Sequence, residues 1–294
     1  MRWSTGDRGN INDMRGRSGG GGGMIPLGIG GFIIVGLLSM FTGVDFFSML
    51  GGGSSGPSSG TAVGTAGSNA PVNASPTEEK QVDMVDAVAR DVQQTWTESL
   101  GSRYQPTKVT LFRDSIQSAC GYAGAVSGPF YCPGDRNVYM DLSFFDELGR
   151  RFGASGDFAQ AYVIAHEFGH HVQNLTGTEA QVRQQQRADP RNVNALSVRL
   201  ELQADCYAGV WGHKAAQPGR AARGGVELDP GDLDEALRAA AAIGDDRLQK
   251  LGSGRVMPEK FTHGSSEQRV TWFKRGFEGG DPRQCDTFSN TGTR

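Results

Sequence analysis

The stretch AHEFGHHVQN, residues 165–174, contains three of the five histidines in this chain of 294 residues. Two of them, His166 and His170, are four positions apart, a little more than one turn of an α-helix. Both rings therefore project from one helix face and can each offer a nitrogen to the same metal ion. Glu167 lies beside this pair and can take a proton from a water that the metal activates. The HExxH pattern thus predicts a hydrolytic zinc site.

A catalytic zinc ion has three protein ligands and a fourth position open to water. The later stretch RLELQADCYAGVWG supplies a third ligand, because Glu201 and Asp205 are four apart on a predicted helix and share a face. We expect Glu201 to bind the metal and Asp205 to accept a hydrogen bond from a ligand histidine. The small residues Ala208 and Gly212 continue this face and would allow close packing on the HExxH helix. The alternative is that the two carboxylates form a solvated acidic edge.

A third cluster, FTHGSSEQRVTWF, places His263 and Arg269 near a predicted helix start, with Ser265 or Ser266 as its cap. Either the histidine or the arginine could stabilise the oxyanion that forms when water attacks a peptide carbonyl. A lone histidine is more often a structural hydrogen-bonding residue, and residue type alone does not decide between these two roles.

The other two histidines are predicted to be structural or surface residues. His171 follows His170 directly, so it points about 100° further around the helix and away from the metal. His213 lies roughly three helical turns beyond Glu201. Neither is expected to bind the ion.

Residues 24–44 contain no charge, and this length is enough to cross a hydrocarbon core of about 30 Å as a helix. We expect a transmembrane helix here; the alternative is the apolar region of a signal peptide. Basic residues precede this segment, and the positive-inside rule therefore places residues 1–23 in the cytoplasm as a tail. The rest of the chain is then expected outside the cytoplasm, in the periplasm or beyond it. The basic residues are Arg2, Arg8, Arg15 and Arg17.

Residues 45–77 are predicted to be a flexible linker, because they are mostly Gly, Ser and other small or polar residues. The folded domain is then expected to cover 78–294, which is ample for one core. The formal net charge of −3 gives no basic field for nucleic acid. Nucleic-acid binding is therefore not expected.

Within the domain, apolar residues at helical spacing predict a first helix that ends near Gly101; its apolar face is formed by Val82, Val85, Val88, Ala89, Val92 and Trp96. KVTLFRD, from Lys108, is typical of a strand, and FYCPGDRNVYMDLSFF, from Phe130, of a hairpin or bent strand around Asp135. Later segments are predicted to be helical, over 157–175, 179–188, 192–214, 232–248 and 266–276. A small sheet before a mainly helical half indicates an α+β domain.

The chain has four cysteines, an even number that suits disulfides in a compartment outside the cytoplasm. Four cysteines allow three pairings. We favour Cys120 with Cys132, which are close in sequence across a Gly-rich turn, and this leaves Cys206 with Cys285. The alternative is four buried free thiols. A cysteine zinc site is disfavoured, because no pair has the close spacing of such sites.

The segments HEFGHHVQNLTG, ELQADCYAGVW, GPFYCPGDRNVYMDLSFF and FTHGSSEQRV together resemble the neutral zinc metallopeptidase family of bacterial membrane-anchored proteins. The resemblance extends over nearly the whole chain. More distantly, HExxH, then ExxAD, then TH followed by Arg is similar to the membrane peptidases that include the CAAX prenyl proteases. Gly264 departs from that group, which usually has proline there.

The resemblance implies a zincin-like domain with Zn²⁺ as its cofactor. It implies His166, His170 and Glu201 as metal ligands, and Glu167 as the general base. It further implies that Asp205 hydrogen-bonds a ligand histidine without itself binding the metal. It also favours His263 as a stabiliser of the transition state.

The leading hypothesis is a membrane-anchored zinc endopeptidase that acts on protein or peptide substrates. By the same resemblance, an edge strand before the metal helix could receive an extended substrate by β-addition, unless that strand is internal. The second hypothesis is a tethered envelope interaction or assembly module with a structural or latent zinc site. The third, that HEFGH is a coincidence, would also make the Glu201 and Asp205 pair accidental.

Overall fold

The computed structural model describes residues 1–16, 72–124 and 128–289. The strands are β1 (Ile11–Asp13), β2 (Val109–Phe112), β3 (Ser115–Ser118), β4 (Gly121–Gly124), β5 (Phe130–Cys132) and β6 (Asn137–Asp141). The α-helices are α1 (Pro76–Leu100), α2 (Ser143–Arg150), α3 (Asp157–Thr176), α4 (Thr178–Ala188), α5 (Val193–Ala215), α6 (Asp232–Ala242), α7 (Asp245–Ser253) and α8 (Ser266–Gly279). Small sheets beside a mainly helical body make this an α+β fold, as the element pattern predicts.

A four-stranded sheet has the order β1-β2-β6-β5. Strands β1 and β6 run parallel to β2, whereas β5 pairs antiparallel with β6 across the predicted PGD turn. The sheet therefore has β5 as one of its outer strands. A separate antiparallel pair, β3 and β4, was not predicted from the sequence.

The helical body is held together by close approaches at small residues. A Cβ atom on Gly169 of α3 would lie 3.0 Å from the backbone of Ala204 on α5. A Cβ on Gly276 of α8 would overlap the carbonyl oxygen of Cys206 on α5. The prediction that small residues bring α5 close to the HExxH helix is met at Gly169 and Ala204, and Gly212 faces both Phe158 on α3 and Phe277 on α8.

The helix predicted over 232–248 is two helices, α6 and α7, separated at Gly244. Gly244 packs so tightly on the backbone of Ser266 that a side chain there would overlap it. Asp245, the first residue of α7, then accepts hydrogen bonds from the loop before α8. A continuous helix would not deliver this carboxylate to that loop.

The first residues of the chain belong to the folded unit, which corrects the prediction of a cytoplasmic tail over 1–23. Strand β1 pairs residue by residue with β2, from Ile11 opposite Val109 to Asp13 opposite Leu111. Since β1 and β2 share a sheet, they lie on the same side of any membrane. That arrangement is inconsistent with a single crossing that leaves the N-terminus alone in the cytoplasm.

Three arginines of the predicted tail form ion pairs with acidic residues of the domain, and the first of them, Arg2, binds Glu227 and Asp229. Arg8 binds Glu79 and Asp83 of α1, and the buried Arg15 binds Glu78 and Glu79 as well as Asp13 of β1. These ion pairs fasten the first segment along α1.

The prediction of a transmembrane helix must also be corrected. Among the helices of the described ranges, none combines the length and the apolar character that crossing a membrane requires. Residues 24–44 themselves, like most of the predicted linker, lie outside the described ranges.

Two disulfide bonds close the fold in the favoured pairing. Cys120 is bonded to Cys132, which joins the loop after β3 to the end of β5. Cys206 of α5 is bonded to Cys285, which fixes the segment that follows α8. The alternative of four free thiols is therefore wrong.

Candidate metal centre

Helices α3 and α5 bring His166, His170 and Glu201 together, as the spacing of these residues predicts. One donor atom from each residue lies within 4.8 Å of the others. The Nε2 atom of His166 is 3.1 Å from one carboxylate oxygen of Glu201, and Nε2 of His170 is 3.5 Å from the other. Two imidazole nitrogens and a carboxylate at this separation suit a zinc ion. Within the described residues, no other His, Cys, Asp or Glu joins this group.

Asp205 lies directly behind His166. Its Oδ1 atom is 2.8 Å from Nδ1 of His166, which leaves Nε2 of the ring facing Glu201. Arg269 donates to both carboxylate oxygens of Asp205, at 2.9 Å each, and the hydroxyl of Tyr162 also donates to Oδ1. Burial alone would raise the pKa of Asp205, but the Arg269 charge and His166 outweigh it and lower this pKa to about 2.

Arg269 is therefore not placed to stabilise an oxyanion, which was one of its predicted roles. Its side chain is only 3% exposed. The guanidinium donates hydrogen bonds to Asp205, the carbonyl of Ile243 and the hydroxyl of Tyr162. The guanidinium acts on the metal site through Asp205 and His166.

His170 has a different partner behind it. Its Nδ1 atom is 2.9 Å from the side-chain oxygen of Gln173, one helical turn further along α3. Gln173 was not predicted from the sequence, although its position three residues after the second histidine of HExxH places it within reach.

The candidate ligands His170 and Glu201 shift each other's pKa values through their opposite charges. Burial opposes protonation of His170, but the carboxylate of Glu201 raises its pKa to about 10. Burial would raise the pKa of Glu201, but the positive charge of His170 and then of His263 holds it well below its usual value. A site that attracts a proton in this way also attracts a divalent cation, which competes for the same nitrogen.

Glu167 projects beside the ligands and is almost fully buried. Burial raises the pKa of its carboxyl group above the ordinary value, although the nearby His170 and His166 oppose this. The backbone N–H of Tyr131, on the outer strand β5, is near enough to the carboxylate to lower this pKa slightly. The edge strand and the glutamate are thus neighbours.

His263 lies close enough to Glu201 for its charge to lower the Glu201 pKa. Its Nδ1 atom faces Asp245 at 3.3 Å. The second oxygen of Asp245 accepts backbone N–H groups from Thr262, His263 and Gly264, at 2.6, 2.7 and 3.1 Å. Asp245 therefore fixes both the loop and the imidazole. This role was not predicted from the sequence, because Asp245 is distant from the motifs along the chain.

The remaining histidines are structural, as predicted. His171 is fully buried, and its ring nitrogens meet the Tyr131 hydroxyl at 2.9 Å and the Gln105 carbonyl at 2.6 Å. His213 bonds the carbonyl of Phe277. His171 thereby ties strand β5 to the helix that carries the metal ligands.

Comparison with known proteins agrees with this geometry. The family model described as "Putative neutral zinc metallopeptidase" matches residues 1–288. The chain is 46% identical to the uncharacterized protein YpfJ of Escherichia coli strain K12 over 303 residues, which cover 99% of this chain and 100% of YpfJ. It is 44% identical to the uncharacterized protein Rv2575 of Mycobacterium tuberculosis strain H37Rv over 207 residues, 69% of each chain. No solved structure matches the chain. The expected family is confirmed, and its cofactor is Zn²⁺.

Proposed function

The chain belongs to the neutral zinc metallopeptidase family, and on that premise we propose that it is a zinc-dependent endopeptidase that cleaves protein or peptide substrates. The observation that carries the proposal is the convergence of His166, His170 and Glu201 on one point, with the uncoordinated Glu167 beside them. A structural zinc site is closed by four ligands and needs no general base. Three ligands and a neighbouring carboxylate are the pattern of a hydrolytic site.

His166 and His170 would hold the ion through Nε2, and Glu201 through its carboxylate. Bound Zn²⁺ supplies Lewis acidity, which polarises a carbonyl and lowers the pKa of water to about 7. Glu167 takes the proton from the attacking water and passes it to the leaving amine. Its burial supports this role, because a raised pKa lies nearer to the working pH of a general base.

His263 is proposed to stabilise the oxyanion that develops on the scissile carbonyl. Asp245 holds the Nδ1 side of the ring, so the Nε2 side is available to donate a hydrogen bond when the ring is protonated. The proximity of His263 to Glu201 supports this placement beside the metal.

Strand β5 is proposed to bind the substrate backbone. It is an outer strand of its sheet, pairing with β6 on one side. An extended peptide could add to its other side by β-augmentation. Since the backbone N–H of Tyr131 lies near Glu167, a peptide along this edge would pass next to the proposed base.

We further propose that the domain works outside the cytoplasm. The support is its two disulfide bonds, since such bonds persist in oxidising compartments and are rare in the cytosol. Thiol alkylation in denaturant, applied as the cells are lysed, tests this. All four cysteines are expected to resist modification until a reductant is added. Free thiols in freshly lysed cells would contradict it.

The decisive experiment compares the full-length wild type with Glu167→Gln. We expect one zinc ion per chain in both proteins and cleavage of a casein or peptide substrate only by the wild type. Activity retained in Glu167→Gln would refute the proposed mechanism. Zinc bound by both proteins with no cleavage by either would instead favour an interaction or assembly module whose zinc site is structural or latent.

A further inference from the structure

Gln173 occupies the space between the two helices that carry the metal ligands. Its side chain is 0% exposed, so each polar atom of its amide needs a partner within the protein. The amide has two donors on its nitrogen and an acceptor oxygen, and all three directions are used. The partners on each side determine which way the amide faces.

The amide nitrogen of Gln173 is 2.7 Å from the backbone carbonyl of Leu200. A carbonyl oxygen can only accept a hydrogen bond, so the group that faces it must be the nitrogen. The side-chain oxygen of Gln173 then faces Nδ1 of His170. Because that oxygen can only accept, Nδ1 of His170 must carry the proton.

A second set of hydrogen bonds, through Gln203, fixes the Gln173 amide in the same orientation. The amide nitrogen of Gln203 is 2.9 Å from the carbonyl of Cys285, so the oxygen of Gln203 faces Gln173 and accepts its other N–H at 3.1 Å. Cys285 is held in place by its disulfide to Cys206. Two backbone carbonyls, of Leu200 and Cys285, thus dictate the orientation of both amides.

The orientation of the Gln173 amide affects two of the proposed metal ligands. With the proton fixed on Nδ1 of His170, a lone pair on Nε2 is directed towards Glu201 whenever the ring is neutral. The carbonyl that Gln173 binds belongs to Leu200, the residue directly before Glu201. Gln173 therefore sets the rotation of one ligand and the distance from its helix to the backbone of another.

We propose that Gln173 is a positioning residue for the zinc site, and that Gln203 acts through it. Gln173 does for His170 what Asp205 does for His166, with a neutral amide in place of a carboxylate. The inference rests on the proposed zinc site, since it assigns a role relative to the ligands His170 and Glu201. It does not depend on whether the protein cleaves peptides.

The test measures the zinc dissociation constant of full-length variants by competition with a chromophoric chelator. Gln173→Met keeps the shape of the side chain but removes its amide, and we expect zinc binding to weaken between about 10- and 100-fold. Gln249→Met is the matched control: Gln249 is 1% exposed and bonds the backbone of Met257, away from the metal ligands. This control is expected to bind zinc as the wild type does.

A double variant distinguishes a positioning role from general loosening. Gln203→Met is expected to weaken zinc binding less than Gln173→Met, since the bond from Gln173 to Leu200 remains. The double variant is expected to bind zinc no more weakly than Gln173→Met alone, because the two residues act in one path. If Gln173→Met does not fold, Gln203→Met compared with Gln249→Met still decides the question.

The spectroscopic readout is the Nδ1–H proton of His170 in the zinc-loaded protein, observed by ¹⁵N NMR of histidine-labelled samples. This proton is expected to exchange slowly in the wild type and in Gln249→Met, and rapidly in Gln173→Met. Zinc binding by Gln173→Met within twofold of the wild type, or equal loss in Gln249→Met, would overturn the inference. Wild type that binds zinc without cleaving peptides would overturn the proposed function and leave this inference standing.

Discussion

The Oδ1 atom of Asp205 lies 2.8 Å from Nδ1 of His166, on the side of the ring that faces away from Glu201. The same carboxylate is bound through both oxygens by the buried Arg269. His166 is therefore held by an ion pair that solvent hardly reaches. Substitutions of Asp205 and Arg269 should therefore change zinc affinity and the free energy of unfolding, and the two effects can be measured separately.

We expect Asp205→Asn to weaken zinc binding between about 10- and 100-fold, because the neutral amide supports His166 less well. It should also lower the free energy of unfolding of the metal-free protein by about 3 kcal/mol, because Arg269 loses its buried counter-charge. Chelator competition and urea denaturation measure the two effects. Adding Arg269→Met should restore much of the stability but not the zinc affinity; recovery of both would show that Asp205 does not act through His166.

Zinc affinity should rise with pH over an unusually wide range. The pKa of His170 in the metal-free protein is about 10, so below that pH zinc must displace a proton from the ring. Affinity is therefore expected to increase as pH rises towards about 10 and to level off above it. Calorimetry at pH 8 in two buffers of different ionisation enthalpy should detect proton release, and binding without any proton release would contradict the Glu201–His170 interaction described above.

His263→Ala is expected to lower kcat by about 10²- to 10³-fold with little change in KM, as for loss of an oxyanion donor. Asp245→Asn should produce a smaller loss of the same kind, because it loosens the ring without removing it. Zinc content, measured by atomic absorption, should be unchanged in both variants. A higher KM with unchanged kcat would instead assign His263 to substrate binding.

Arg15→Met is expected to destabilise the whole domain, since Arg15 is buried against the carboxylates of Asp13, Glu78 and Glu79. The expected loss is about 1 kcal/mol, because the three carboxylates that lose their partner stay partly exposed to water, which screens their mutual repulsion. Lys80→Met, on the exposed face of the same helix, is the control for charge removal. Equal unfolding curves for wild type and Arg15→Met would show that the first segment does not contribute to the domain.

The parts of the site that follow from local spacing could be predicted from the sequence. His166 and His170 share a helix face because of the helical repeat, and Glu201 and Asp205 do so for the same reason. Glu167 lies between the two histidines in the motif itself. The structure brings these five residues together without any rearrangement of the predicted helices.

Other parts depend on contacts between distant segments and leave no local pattern. Gln173 and Asp245 acquire their partners only when α5 packs on α3 and when the helix predicted over 232–248 breaks at Gly244. The N-terminal arginines were misinterpreted because a basic stretch before an apolar run is typical of a cytoplasmic tail. Their acidic partners on α1, such as Glu79, lie more than 60 positions away along the chain.

The pairing of β1 with β2 means that the folded unit is discontinuous along the chain, because the strand Ile11–Asp13 joins a sheet whose other strands begin at Val109. A recombinant fragment that begins at residue 78 would lack a strand and would leave one edge of β2 unpaired. Unpaired strand edges recruit strands from other molecules, so such a fragment should aggregate. Aggregation of that fragment would then reflect the missing strand, and correctly folded protein requires the first sixteen residues, supplied on the same chain or as a separate peptide.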